Sequence, residues 1–180
     1  MSLPSDNTKR IAIISDTHGH INPKIIEVIK GCDQIIHAGD ICGAHILEEL
    51  REIHDDITAV CGNNDHAELW HCDEAHVVNA IPDIAELQLP GGTLVIEHGH
   101  KHGMQKPCHD SLRKTHPDAR AIVYGHTHTM VVDDEQIPMV INPGAAGETR
   151  TRGGPSCLIL TASEADWHVE MIRFPGEAVA

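Results

Sequence analysis

The chain reads as an α/β fold: two packed β-sheets, one mainly parallel and the other mixed, with helices on the outside. Three observations predict it. Short apolar runs in the first third alternate with amphipathic segments at helical spacing, the strand–helix–strand pattern of a right-handed parallel sheet. Shorter alternating pieces separated by Gly and Pro fill the last third, which reads as antiparallel β structure. Five apolar runs end in residue types that ligate metals, at the carboxyl ends where α/β sheets collect their chemistry.

The first run, Ile11–Ile14, reads as a buried parallel strand ending in Asp16-Thr17-His18. In extended chain, Asp16 and His18 share one face. Pro23–Lys30 has helical spacing, with Asn22 to cap it, Pro23 at its first position and Gly31 to end it. Gln34–Ala38 is a second strand, ending in Gly39-Asp40, and Ala44–Ile53 a second amphipathic helix. Ile57–Cys61 is a third strand, ending in Gly62-Asn63-Asn64-Asp65. His76–Ala80 and Ala85–Leu89 read as short strands, and Thr93–Glu97 as a longer one ending in His98-Gly99-His100. Cys108–Thr115 reads as a helix stopped before Pro117. Arg120–Tyr124 is an apolar strand ending in Gly125-His126-Thr127-His128. Met130–Asp133, Pro138–Ile141, Cys157–Leu160 and His168–Ile172 complete the strands. One domain over residues 1–180 is the simplest organisation at this length.

Composition narrows the function classes. Aromatic residues make 2% of the chain, so the core must be aliphatic. Asp and Glu outnumber Lys and Arg by 27 to 13, a balance that argues against a nucleic-acid or anionic-membrane surface. Met1–Lys9 is a polar leader without an apolar run, and no stretch approaches the ~18 apolar residues of a bilayer span. A soluble, cytoplasmic protein is the expectation. Six cysteines lack any C-x-x-C pair and are expected to be mostly buried, reduced thiols.

The strand-end residues Asp16/His18, Asp40, Asn63, His98 and His126/His128 are each weak signals, but their recurrence is not what turns alone produce. Carboxylate, amide oxygen and imidazole suit borderline and hard dications. Seven candidate ligands are about right for two ions, with Asp40 placed to bridge. Such a pair acidifies a bound water and clamps the oxygens of an in-line displacement, and it attracts an anionic ester despite an acidic exterior.

The series D-T-H, G-D, G-N-N-D, H-G-H and G-H-T-H, with an I-N-P-G turn at Ile141–Gly144, resembles the calcineurin-like metallophosphoesterase family, most of all its small single-domain phosphodiesterases. The resemblance implies a four-layer αββα sandwich and a binuclear centre. Asp16, His18 and His128 would hold the first ion, Asp40 would bridge, and Asn63, His98 and His126 would hold the second. It implies two divalent transition-metal ions, manganese foremost, with iron, zinc or nickel as alternatives. Asp40, Asn63 and His98 would serve the attack of a bridging hydroxide on phosphorus, and Asn63, Asn64 and His100 would contact substrate. Many relatives carry a histidine directly after the ligand asparagine, a proposed proton donor to the leaving group. Asn64 stands there instead, which points to a small phosphodiester, or an ester with an acidic leaving group, rather than an alkyl monoester. A protein-binding scaffold, as the retromer subunit of similar fold is, and a phosphomonoesterase are the alternatives. Oligomeric state, a homo-oligomer included, stays open.

Other polar residues have plainer readings. His20, His102 and His109 read as exposed residues near the mouth, and His66, His71 and His76 as surface histidines or an accessory zinc site. Asp65 reads as orienting a site residue or capping a turn, and Asn142 as stabilising its turn. Arg150 and Arg152 stay outside the site, since no spacing requires them.

Overall fold

In the computed structural model, which describes residues 7–176, the first apolar run becomes β1 (Lys9–Ile14), and Ile11 to Ile14 are wholly buried. A strand buries every residue only when both its faces are covered. Ile11 and Ile13 enter a core with Leu94, Ile96, Val123 and Ile141 of the second sheet. Ala12 and Ile14 enter a different core, with Ile25, Ile46 and Leu50 of the helices. Burying one such isoleucine is worth roughly 2 kcal/mol, so β1 is held from both sides.

α1 (Pro23–Ile29) follows, with Asn22 Oδ1 accepting from the Lys24 amide at 2.9 Å and Pro23 at the helix start. β2 (Gln34–His37) and β3 (Ile57–Ala59) pair in parallel beside β1, separated in sequence by α2 (Ala44–Ile53). α3 (Ala75–Val78) is one helical turn. β4 (Ile84–Leu89), β5 (Gly92–Glu97), β6 (Ala121–Val123), β7 (Met130–Asp133) and β8 (Met139–Pro143) form the second sheet in the order β4-β5-β6-β8-β7. α4 (His109–Thr115) covers its outer face, packing Leu112 on Val95, Ile122 and Val140. β9 (Ser156–Ala162) and β10 (Trp167–Arg173) return to the first sheet, whose order is β10-β9-β1-β2-β3. Helix, sheet, sheet, helix is the expected four-layer sandwich, and among the described residues the core is aliphatic apart from Trp70, Tyr124 and Trp167.

Several expectations change. Both sheets are equally mixed: β1-β2-β3 and β5-β6-β8 are parallel, while β9, β10, β4 and β7 join antiparallel. The last third therefore divides between the sheets, because β9 covers the free edge of β1 and β8 that of β6. His76–Ala80 is no strand: Val77 and Val78 pack into the helical layer, where tertiary contact overrides the β preference of valine. Cys32 and Cys157 are buried as expected, but Cys72 and Cys108 are exposed and Cys42 and Cys61 half-buried. Of the polar leader, residues 1–6 lie outside the described residues, and Lys9 already belongs to β1. Among the described residues no helix is long and apolar enough to cross a membrane.

Candidate metal centre

The parallel pairings align the carboxyl ends of β1, β2 and β3 at one edge and those of β5 and β6 at another, and hydrogen bonds join the two edges. The His126 amide donates to Asp16 Oδ2 at 3.0 Å, and His98 Nδ1 donates to the Ala38 carbonyl at 2.8 Å. Within the first edge, the Asp16 and His18 amides donate to the carbonyls of Gly39 and Asp40, both at 3.0 Å. Close approach makes glycine obligatory at two positions: a Cβ on Gly62 would collide with the Asp40 carboxylate, and one on Gly125 with Ser15 and Asp16.

Asp16 and His18 do not lie in extended chain. Asp16, His18, Asp40, His126 and His128 all have left-handed backbone, with φ between 46° and 67°. Five of the seven expected ligands thus occupy a conformation that L-residues disfavour, the kind of strain that clusters at functional sites.

Two clusters result. In the first, His18 Nε2 and His128 Nε2 face each other at 3.1 Å, with Asp16 Oδ1 3.3 Å from His128 and Asp40 Oδ2 3.6 Å from His18. Ligands at about 2.1 Å from a shared ion stand about 3 Å apart. In the second, His98 Nε2 is 3.4 Å from Asp40 Oδ1 and 4.0 Å from Asp16 Oδ1, and the His98 ring meets that of His126 edge-on. Asp40 reaches both clusters. Asn63 Oδ1 and His126 Nδ1 lie 2.8 Å apart beside the second. His126 Nε2 is spent on the Met104 carbonyl at 2.5 Å, so in the neutral ring Nδ1 presents a lone pair to another acceptor. A cation relieves that mismatch.

The donor set fits divalent ions on other grounds. Asp16 Oδ1 and His98 Nε2 are buried without a hydrogen-bond partner, and such orphans cost stability unless something else engages them. His98 and His128 each give Nδ1–H to a carbonyl, Ala38 and Thr149, which turns Nε2 inward as a ligand. Burial raises the Asp16 carboxyl to about 7, with Asp40 adding to the rise. Burial also opposes charge on Asp40, yet the facing His98 and two donors from Asn64 hold its carboxyl well below the usual range. At His98, burial is outweighed by Asp40 and Asp16, which raise the imidazole to about 9. Burial lowers His18, and His128 to about 4, keeping both neutral. The site concentrates acceptors and negative charge that a cation would balance.

Three groups hold the loops: His37, which the sequence did not single out, and Asp65 and Asn142, which it did. Neutral His37 is wholly buried: its Nδ1 accepts from the Gly39 amide at 3.2 Å, and its Nε2 meets Thr17 Oγ1 at 2.9 Å. Burial depresses it to about 4. A single imidazole directly after Ile35-Ile36, at the end of β2, is the available signal. Asp65 accepts from the amides of Ile41, Cys42 and Gly62 and from Trp70 Nε1, so it caps the loops rather than touching a ligand side chain. Asn142 donates to the Gly125 carbonyl at 2.7 Å, steadying the loop that carries His126 and His128.

Asn64, expected on substrate, lies on Asp40: its amide nitrogen and side-chain Nδ2 donate to the two carboxylate oxygens at 2.9 and 2.7 Å. His100 flanks the second cluster, its ring centre 5.6 Å from that of His98. His102 and His109 are not free surface residues. They are half-buried and paired with Glu97 at 2.9 Å and Asp133 at 2.6 Å, which anchors α4. His71 groups with exposed Cys72 and Asp73, not with His66 and His76. Arg150 and Arg152 line a cavity that reaches His126 and His128.

Comparison with known proteins decides the family. The calcineurin-like phosphoesterase superfamily domain matches residues 10–165. The chain belongs to this family. A phosphodiesterase of Methanocaldococcus jannaschii is 30% identical over 143 residues, covering 75% of the chain and 82% of that relative. A probable metallophosphoesterase of Methanothermobacter thermautotrophicus is 23% identical over 168 residues, 91% of each chain. Among solved structures, an archaeal phosphodiesterase superposes with a TM-score of 0.69 at 27% identity, over 91% of this chain and 99% of that one. Vacuolar protein sorting 29 from Cryptosporidium parvum shares the fold, with a TM-score of 0.72 at 19% identity, over 94% of this chain and 100% of that one. Membership of the calcineurin-like phosphoesterases supports metal-dependent hydrolysis of phosphoesters, and the side chains gathered here are of the types it needs.

Proposed function

We propose that the chain is a binuclear phosphodiesterase acting on small phosphodiesters. The observation that carries this reading is the pair of clusters, Asp16/His18/His128 and Asp16/Asp40/His98, with Asp16 Oδ1 and His98 Nε2 buried and unpartnered between them. Asp16, His18 and His128 would hold one ion and Asn63, His98 and His126 the other, with Asp40 able to serve both. Manganese is the first candidate, with iron, zinc and nickel behind it. When bound, the ions supply Lewis acidity and a water acidified toward neutral pH.

The chain's own residues do the remaining work. Carbonyls fix the tautomers of His98 and His128, and Asn64 orients Asp40 through both carboxylate oxygens. Asn63 and His100 face the phosphoryl group, and His98, with Nδ1 on the Ala38 carbonyl, offers Nε2 to the ion. Because Asn64 is turned onto Asp40, no acid stands beside the leaving group at that position, and a diester with an acidic alcohol suits the site better than an alkyl monoester. The phosphodiesterase relatives support the same substrate class.

The test is elemental analysis joined to turnover on bis(p-nitrophenyl) phosphate, a cyclic nucleotide and p-nitrophenyl phosphate. About two ions per chain and faster diester hydrolysis are expected. Preference for the monoester would make the chain a phosphomonoesterase. The fold shared with vacuolar protein sorting 29 favours a second reading, a protein-binding scaffold. No turnover with any transition metal would select it.

A further inference from the structure

The metal-type residues open on two unlike sides. On the side of His100, a cavity of about 520 Å³ has Asp65, Glu68 and Asp83 in its wall, and its one cation, Lys101, is already paired with Asp83 at 2.7 Å. On the side of His126 and His128, a cavity of about 380 Å³ carries Arg150 and Arg152 and no carboxylate. This is unexpected in a chain of net charge −14. Arg113 and Arg120 are committed elsewhere, to Asp133 at 2.7 Å and to the Gly91 carbonyl at 2.8 Å. Arg150 and Arg152 form no ion pair or side-chain hydrogen bond with any described residue. Arg150 is held in left-handed backbone, φ 50°, and its charge reaches both His18 and His128.

The basic cavity does not end there. A second, of about 490 Å³, shares Thr127 and Arg152 with it and runs on over Pro107, Tyr124 and Val131, a more apolar wall. The path begins at two imidazoles, passes two unpaired guanidiniums and ends on a wall that is mostly apolar in area but also carries Lys106, His109 and Thr129. Guanidinium forks recognise phosphate by paired, charge-assisted hydrogen bonds.

We infer that the substrate is a phosphodiester one arm of which bears a second phosphate group, held by Arg150 and Arg152, with the organic body of that arm lying along the apolar cavity. The inference rests on the phosphodiesterase reading for the reacting phosphorus and adds the identity of one arm.

Two esters test it, thymidine 5′-(p-nitrophenyl phosphate) and the same compound phosphorylated at its 3′-oxygen, which release one chromophore and differ by one phosphate. With the manganese-reconstituted full chain, kcat/KM is expected to be about tenfold higher or more for the 3′-phosphorylated ester. The double substitution Arg150→Gln/Arg152→Gln is expected to bring that ratio to about one. Equal kcat/KM for both esters, or a preference the double variant keeps, overturns the inference and leaves the phosphodiesterase reading standing. Calorimetry reads the subsite without turnover: thymidine 3′,5′-bisphosphate should bind about tenfold tighter than thymidine 5′-phosphate, and the double variant should lose the difference. Binding of that kind without hydrolysis of either ester keeps the subsite and overturns the phosphodiesterase reading. No binding preference overturns the subsite.

Discussion

The two sheets bring different chemistry to one place. The first delivers both carboxylates, Asp16 and Asp40, with His18 and Asn63, and the second delivers only imidazoles, His98, His126 and His128. The carboxylates are almost wholly buried and their loops are zipped together by main-chain hydrogen bonds. Each imidazole of the second sheet hangs from one carbonyl, those of Ala38, Met104 and Thr149. Charge that is costly to bury is fixed by rigid backbone, while the imidazoles are aimed by single hydrogen bonds to carbonyls. A pair of dications, as proposed, would be balanced by only two carboxylates and would keep a positive surplus for an anionic ester.

The contrast can be broken most directly at Asp40, whose two carboxylate oxygens face His18 at 3.6 Å and His98 at 3.4 Å. Asp40→Asn should lower the content of both ions and cut turnover by about a thousandfold or more, with an unchanged circular dichroism spectrum. Full activity with two ions retained would mean that the first sheet does not span the pair. His128→Asn probes the other side, since this imidazole stands in one cluster only. Ion content should drop toward one per chain, with a loss of about a hundredfold in kcat. Loss of both ions would show that the second sheet governs occupancy as fully as the first.

Asp65→Asn tests the rigidity of the carboxylate loops. A charged acceptor serving four donors is replaced by an amide, and chemical denaturation should show about 2–3 kcal/mol of lost stability. The smallest effect concerns Asn64. If it positions Asp40, Asn64→Ala should lower kcat by about tenfold while KM holds. A rise in KM alone would return Asn64 to the substrate.

Much of this was legible before any coordinates, for a physical reason. Parallel strands buried on both faces read as unbroken apolar runs, so the polar residue after each run marks the strand end where ligands gather. Ile11–Ile14 before Asp16 and Thr93–Glu97 before His98 are such cases. What stayed hidden depends on distant partners. Nothing local in Ser156–Ala162 says that it pairs with β1 as well as with its sequence neighbour β10. Valine preference at Val77-Val78 pointed to a strand, and packing made a helix. His37, Asn142 and Asn64 act through hydrogen bonds across 15 to 24 residues of sequence, and Arg150 and Arg152 acquire meaning only from the wall they share with His126 and His128.

The left-handed backbone at five of the proposed ligand positions carries an evolutionary consequence. Each such residue costs roughly 1 kcal/mol, and glycine would relieve that cost while deleting a ligand. Were hydrolysis no longer selected, drift at Asp16, His18, Asp40, His126 and His128 would run downhill in folding energy, and the sandwich would outlast its chemistry. Asp or His at all five positions is what continued selection for the proposed centre would leave in a sequence.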